Sequence, residues 1–94
     1  MNNPVLIWAF GRRGLRFSAK IVLLCLAYHY DESEDATIIS IHELSKFAGL
    51  TKAVLKTAID ELESLNLIKQ IPNTASPELT SYMYIFNKSV GGKS

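Results

Sequence analysis

Ser40 and Glu43 open an apolar pattern that Gly49 and Thr51 close. This short stretch restricts the fold more than any other. A serine at that position accepts a backbone N–H of the first helical turn, and a glutamate three residues on reaches back, forming a capping box. Ile41, Leu44, Phe47 and Ala48 then recur on one helical face. Gly49 stops the helix, because a left-handed residue costs glycine little. Leu50 is apolar, and Thr51 caps a second helix immediately. The spacing therefore predicts helices over residues 40–48 and 51–65 joined by a short glycine-containing turn, a helix-turn-helix arrangement.

The flanking segments complete a small domain. Residues 5–10, Val5-Leu6-Ile7-Trp8-Ala9-Phe10, are apolar and fit either a helical turn or a strand. Gly11-Arg12-Arg13-Gly14 breaks them with a solvated turn. Ser18 is a suitable cap for a helix over 18–30, whose apolar residues cover nearly every face. That distribution predicts a central helix packed from several sides. Residues 31–35 form a solvated acidic loop, and Ala36-Thr37-Ile38-Ile39 suits a short strand. On the helix over 51–65, Leu55, Ile59 and Leu62 make a core stripe with Ala58 beside it. Asn66 ends that helix in a left-handed conformation. Two strands then pair as an antiparallel hairpin spanning 67–86, with turn chemistry in Pro72, Asn73, Ser76 and Pro77 between them. The expected fold is α+β, mainly α, with a three-helix core and a C-terminal β-hairpin. Residues 1–94 form one domain, with 1–17 as an N-terminal extension and 87–94 as a flexible tail.

Composition narrows the classes of function. A chain of 94 residues, 48% hydrophobic and 20% charged, is globular with a modest core, so a partner or a second copy is expected to contribute. The single cysteine, Cys25, excludes an intramolecular disulfide and reads as a small buried hydrophobe in an apolar run. No ligand cluster suggests a metal, and no cofactor is expected. No apolar stretch reaches the length of a membrane helix, and the short apolar run 5–10 lacks the basic lead of a signal peptide. A cytoplasmic location is the default. The net charge is only +1, but it is polarised. Residues 1–20 carry Arg12, Arg13, Arg16 and Lys20 and no acid, whereas 31–35 carry Asp31, Glu32, Glu34 and Asp35.

The outward face of the helix over 51–65 carries the chemistry. Thr51, Lys52, Ala53, Lys56 and Thr57 are small, polar or basic. A helix that enters a major groove presents such residues near its N-terminus to base edges and phosphates. Asp60 lies on the same side. Arg12, Arg13 and Arg16 enlarge the basic footprint if they fold near that N-terminus, and otherwise form a solvated turn. The loop over 72–79 holds no lysine or arginine and one acid, Glu78. It is either structural or contacts phosphates through Asn73, Thr74 and Ser76, with Lys69 nearby. Trp8 and Phe10 are expected in the core, the alternative being a dimer or partner interface. Tyr82, Tyr84 and Phe86 alternate on one strand face and suit packing better than base stacking. His29 and His42 lack metal-ligand or nucleophile partners and read as structural. The segment Gly91-Gly92-Lys93-Ser94 lacks the earlier glycine and following helix of a phosphate-binding loop. No nucleophile–base set or carboxylate pair points to an enzyme.

Several stretches carry a resemblance: Trp8-Ala9-Phe10 with Gly14-Leu15, residues 18–27, Ser40-Ile41-His42-Glu43-Leu44, Gly49-Leu50-Thr51-Lys52, residues 58–63 and Leu67-Ile68. Over about two-thirds of its length, residues 5–71, the chain resembles winged helix-turn-helix domains of phage and plasmid replication proteins and mobile-element regulators. The resemblance implies a winged helix that binds duplex DNA in replication initiation or transcription regulation. The implied contacts are Thr51, Lys52, Ala53, Lys56 and Thr57. Members often carry two adjacent basic residues after the cap, where this chain has Lys52-Ala53. A homodimer or larger assembly is expected, because one recognition helix reads only a few base pairs. The alternative expectation is a protein-interaction module that docks on replication or transcription machinery, which the near-neutral charge favours.

Overall fold

A computed structural model describes residues 3–72 and 81–89. It is a small α+β structure with helices α1 (Pro4–Phe10), α2 (Phe17–Tyr28), α3 (Ile41–Ala48) and α4 (Lys52–Ser64), and strands β1 (Thr37–Ser40), β2 (Ile68–Pro72) and β3 (Ser81–Phe86). The expected contacts at Asn73, Thr74 and Ser76, the acid Glu78, and the segment Gly91-Gly92-Lys93-Ser94 lie outside the described residues.

The apolar run at the start is a helix rather than a strand. Asn3 Oδ1 accepts the Leu6 N–H at 3.0 Å, and Pro4 occupies the first turn, where its missing N–H costs nothing. The Asn3 amide also donates to the Ala27 carbonyl at 3.1 Å, fastening the head of α1 to the tail of α2. At the other end Lys20 Nζ donates to the Phe10 carbonyl at 2.8 Å and to the Arg12 carbonyl. A cation there satisfies orphan carbonyls and suits the helix dipole. Val5, Trp8 and Ala9 are buried. Trp8 meets Phe86 edge-on at 6.1 Å. Phe10, expected in the core, is instead 62% exposed.

Helix α2 starts one residue before the expected cap. Arg16 is its N-cap and makes no side-chain cap bond, and the helix ends at Tyr28. It packs against α1, α3 and α4, as a helix apolar on all sides requires. Thr37 is buried, and its hydroxyl donates to the Leu26 carbonyl at 2.6 Å, so the polar group is not stranded.

The local signals around α3 and α4 hold in detail. Ser40 Oγ accepts the Glu43 N–H at 3.0 Å. The Glu43 carboxylate meets the Ser40 hydroxyl at 3.5 Å rather than its N–H, so half of the capping box forms. Gly49 is left-handed with φ 72°, and Thr51 Oγ1 accepts the Val54 N–H at 3.2 Å. Leu44, Leu55, Ala58, Ile59 and Leu62 are buried. Phe47 departs from the expected apolar face. It is 53% exposed and stacks on Tyr28, with ring centroids 5.5 Å apart. Asn66 takes φ 63°, ending α4 as expected.

Strands β2 and β3 pair antiparallel, Ile68 opposite Phe86 and Gln70 opposite Tyr84. β1 adds to the far edge of β3, Thr37 opposite Tyr84, giving the order β1-β3-β2. Thr37, Ile39, Ile68, Tyr84 and Phe86 are buried on one face of this sheet, and the alternate residues Ile38, Lys69 and Ile85 are exposed on the other.

Candidate nucleic-acid interface

The first two turns of α4 show one side to solvent and the other to the core. Thr51, Lys52, Ala53, Lys56 and Thr57 are all exposed, whereas Leu55, Ala58 and Ile59 face the core. The split follows from the periodicity, since residues 52, 53, 56 and 57 share one side of a helix whose buried stripe lies opposite. Among the described residues neither Lys52 nor Lys56 forms an ion pair. Their spacing of four places both ammonium groups on one flank, about one turn apart. Thr57 Oγ1 donates to the Ala53 carbonyl at 3.2 Å. Val54, 41% exposed, adds an apolar patch at the edge of the face. Sequence reasoning passed over it, because valine among leucines reads as core.

A shallow cleft of about 210 Å³ runs between α4 and the sheet, lined by Ile41, Lys52, Lys56, Ile59, Asp60, Gln70 and Tyr82. Polar contacts hold Gln70, one of its lining residues. Gln70 Nε2 donates to the Tyr84 hydroxyl at 2.9 Å, and the Gln70 N–H donates to Glu63 at 2.9 Å. Burial pushes the Tyr84 phenol up to about 12, with the Gln70 bond opposing that rise. Tyr84 and Phe86 are buried and present no stacking surface, while Tyr82 is half-buried at the cleft wall.

Charge along α4 is divided. Lys52 and Lys56 occupy its N-terminal half, and Asp60, Glu61 and Glu63 its C-terminal half. The N-terminal half also carries the positive end of the helix dipole, so lysines and dipole act in the same direction on an anion.

The three arginines do not gather at that end. The Arg16 N–H donates to Glu61 Oε2 at 3.2 Å, and Arg16 Nε lies 3.7 Å from Glu61 Oε1. Glu61 is nine residues beyond Lys52, about 13 Å along the helix axis. The reason is the packing of α2 on α4, which brings the start of α2, where Arg16 makes no side-chain cap bond, to an acid on the later turns. Arg12 folds back on α1, its Nε donating to the Trp8 carbonyl at 3.0 Å and its guanidinium 5.4 Å from the Trp8 ring centre. Arg13 is exposed. Lys69 is exposed on the sheet face opposite Gln70 and so lies outside the cleft. His29 Nδ1 is 2.9 Å from the Cys25 carbonyl, and its ring meets Phe47 edge-on at 4.6 Å.

No protein-family model, no curated protein and no solved structure matches this chain.

Proposed function

We propose that this chain is a winged helix-turn-helix domain that binds duplex DNA in a sequence-specific manner, with the N-terminal half of α4 in the major groove. The observation that carries this reading is the exposed face Thr51–Lys52–Ala53–Lys56–Thr57, whose lysines are free of ion pairs among the described residues, with Asp60 one turn farther along the same side. Support also comes from the element order: a helix, a short strand, two helices across a glycine turn, then two paired strands. The lysines reach phosphate or guanine, and the threonine methyls and Val54 offer contacts to thymine. Lys69, Arg13 and Arg16 lie farther off and serve at most as peripheral phosphate contacts. The resemblance of residues 5–71 supports a role in replication initiation or transcription regulation of a phage, plasmid or other mobile element, with two or more copies on the DNA.

Selection from a pool of randomised duplexes, followed by anisotropy titration of the enriched sequence, tests the reading. Enrichment of a consensus, with binding lost in the Lys52→Ala/Lys56→Ala variant, is the expected result. A pool that stays random contradicts it. The same fold docking on replication or transcription proteins is the competing reading, and salt separates the two. DNA affinity falls steeply with salt, whereas a mainly apolar protein contact does not.

A further inference from the structure

Helix α2 is apolar on nearly every side, yet the chain covers only part of it. Phe17, Ile21, Leu24 and Tyr28 follow one another at spacings of four, three and four, which sets them in one narrow stripe about 16 Å long. Phe17 is 82% exposed, Tyr28 61%, and Ile21 and Leu24 are half-buried. The stripe is bordered by Phe10 of α1 and Phe47 of α3, 62% and 53% exposed. Together with Leu6, Leu24, Cys25 and Tyr28 these two rings line an almost wholly apolar groove.

We infer that this face is the surface through which two copies of the chain associate, their α2 helices crossing antiparallel about a two-fold axis near Ile21 and Leu24. The occupant is a second copy for two reasons. First, the stripe carries no charge, so it meets itself without placing an ammonium or carboxylate in an apolar contact. Buried aromatics contribute about 150–250 Å² each, so the exposed parts of Phe10, Phe17, Tyr28 and Phe47 offer roughly 500 Å² per copy. A standard interface takes about 800 Å² per partner, and Leu6, Ile21, Leu24 and the charged rim provide the remainder.

Second, the two ends of the stripe carry opposite charge. Arg13 and Arg16 precede Phe17, in a stretch of 20 residues with no acid. Asp31, Glu32, Glu34 and Asp35 follow Tyr28. An antiparallel pairing sets the arginines of one copy against the acidic loop of the other, twice. A parallel pairing sets like against like. Asp35 is already held by Tyr30 and Lys88 and Asp31 by Ser33, so Glu32 and Glu34 are the acids available for this contact, and because Arg16 also pairs with Glu61 of its own chain, Arg13 is their main partner. This inference rests on the part of the proposed function that calls for more than one copy, and it requires no DNA.

Sedimentation equilibrium of the full chain without DNA is the test. The wild-type chain is expected to dimerise with a Kd in the micromolar range, and Phe10→Arg and Phe17→Arg each to weaken the dimer by roughly tenfold or more with an unchanged circular dichroism spectrum. Both side chains are mostly exposed, so neither change empties the core. Glu32→Arg/Glu34→Arg is expected to weaken association, and adding Arg13→Glu/Arg16→Glu in the same chain to restore it. A wild-type chain that stays monomeric, or a dimer indifferent to Phe10→Arg and Phe17→Arg, overturns the surface. Failure of the second charge reversal to restore association overturns the antiparallel arrangement. Lys52→Ala/Lys56→Ala is expected to dimerise as the wild type does, which separates this inference from the DNA reading.

Discussion

Glu61 on α4 caps α2 from another element: its Oε2 accepts the Arg16 N–H at 3.2 Å, where Arg16 itself makes no side-chain cap bond. The bond joins the two helices that form the centre of the domain. It belongs to the Arg16 backbone, so the two partners respond differently to mutation. Glu61→Ala is expected to cost about 1 kcal/mol, the usual value of a lost N-cap. Arg16→Ala keeps the N–H and loses only an exposed ion pair, so it is expected to cost a few tenths of a kcal/mol at most. Urea denaturation of both variants checks this, with equal losses contradicting the capping role.

The inward stripe of α4 sets the second prediction. Leu55 is fully buried among the core residues. Leu55→Ala is expected to cost ~2–5 kcal/mol, as buried leucine truncations do. Ala53→Ser, on the outward face, is expected to leave the unfolding midpoint close to that of the wild type. A near-zero cost at Leu55 would mean that the two faces of α4 are exchanged.

Tyr84 gives a pH dependence. Its folded-state phenol is raised above the ordinary value near 10 to about 12. Because the folded pKa is raised, the contribution is fully present below pH 10 and is lost as pH climbs from about 10 to about 12, the range in which the unfolded phenol ionises first. By linkage the loss is on the order of 2 kcal/mol. Ultraviolet titration of tyrosinate is expected to show one ionisation near 12 that is absent from Tyr84→Phe. Stability that does not fall across this window would contradict the buried, Gln70-bonded phenol.

Acid acts on a surface cluster. Tyr30 donates to Asp35 at 2.5 Å and Lys88 lies 2.9 Å from the same oxygen. The Tyr30 bond first, then Lys88, holds the Asp35 carboxyl below its usual value. A depressed folded pKa gives stability that is present above the unfolded pKa and lost as pH falls through the folded one. NMR titration of the Asp35 carboxyl is expected to place its midpoint below that of Asp35 in a short peptide. A midpoint at or above the peptide value would rule out the Tyr30–Asp35–Lys88 contact.

What could be read from the residues in advance was local. The Ser40 and Thr51 caps, the left-handed Gly49 and Asn66, and the two faces of α4 each depend on neighbours within one or two turns, and each is present. What escaped is non-local. The pairing of β1 with β3 joins segments more than 40 residues apart, and nothing in Thr37-Ile38-Ile39-Ser40 names its partner. Asn3 reaches Ala27 across 24 residues, and Glu61 reaches Arg16 across 45. The arginines were therefore placed by their charge, whereas packing of α2 on α4 decides where Arg16 lies. Phe10 and Phe47 looked like core by composition, yet they face outward, because burial depends on which surfaces the elements present to one another.

The proposed DNA binding requires Lys52 and Lys56 to neutralise phosphate or read guanine from the start of α4. The most direct measurement is the salt dependence of binding to the selected duplex for the wild type and for Lys52→Ala/Lys56→Ala. The wild type is expected to lose affinity linearly in log–log form, and the double variant to bind at least roughly tenfold more weakly, with a slope shallower by up to about two and an unchanged melting temperature. Equal affinity and equal slope for the two proteins would contradict the account.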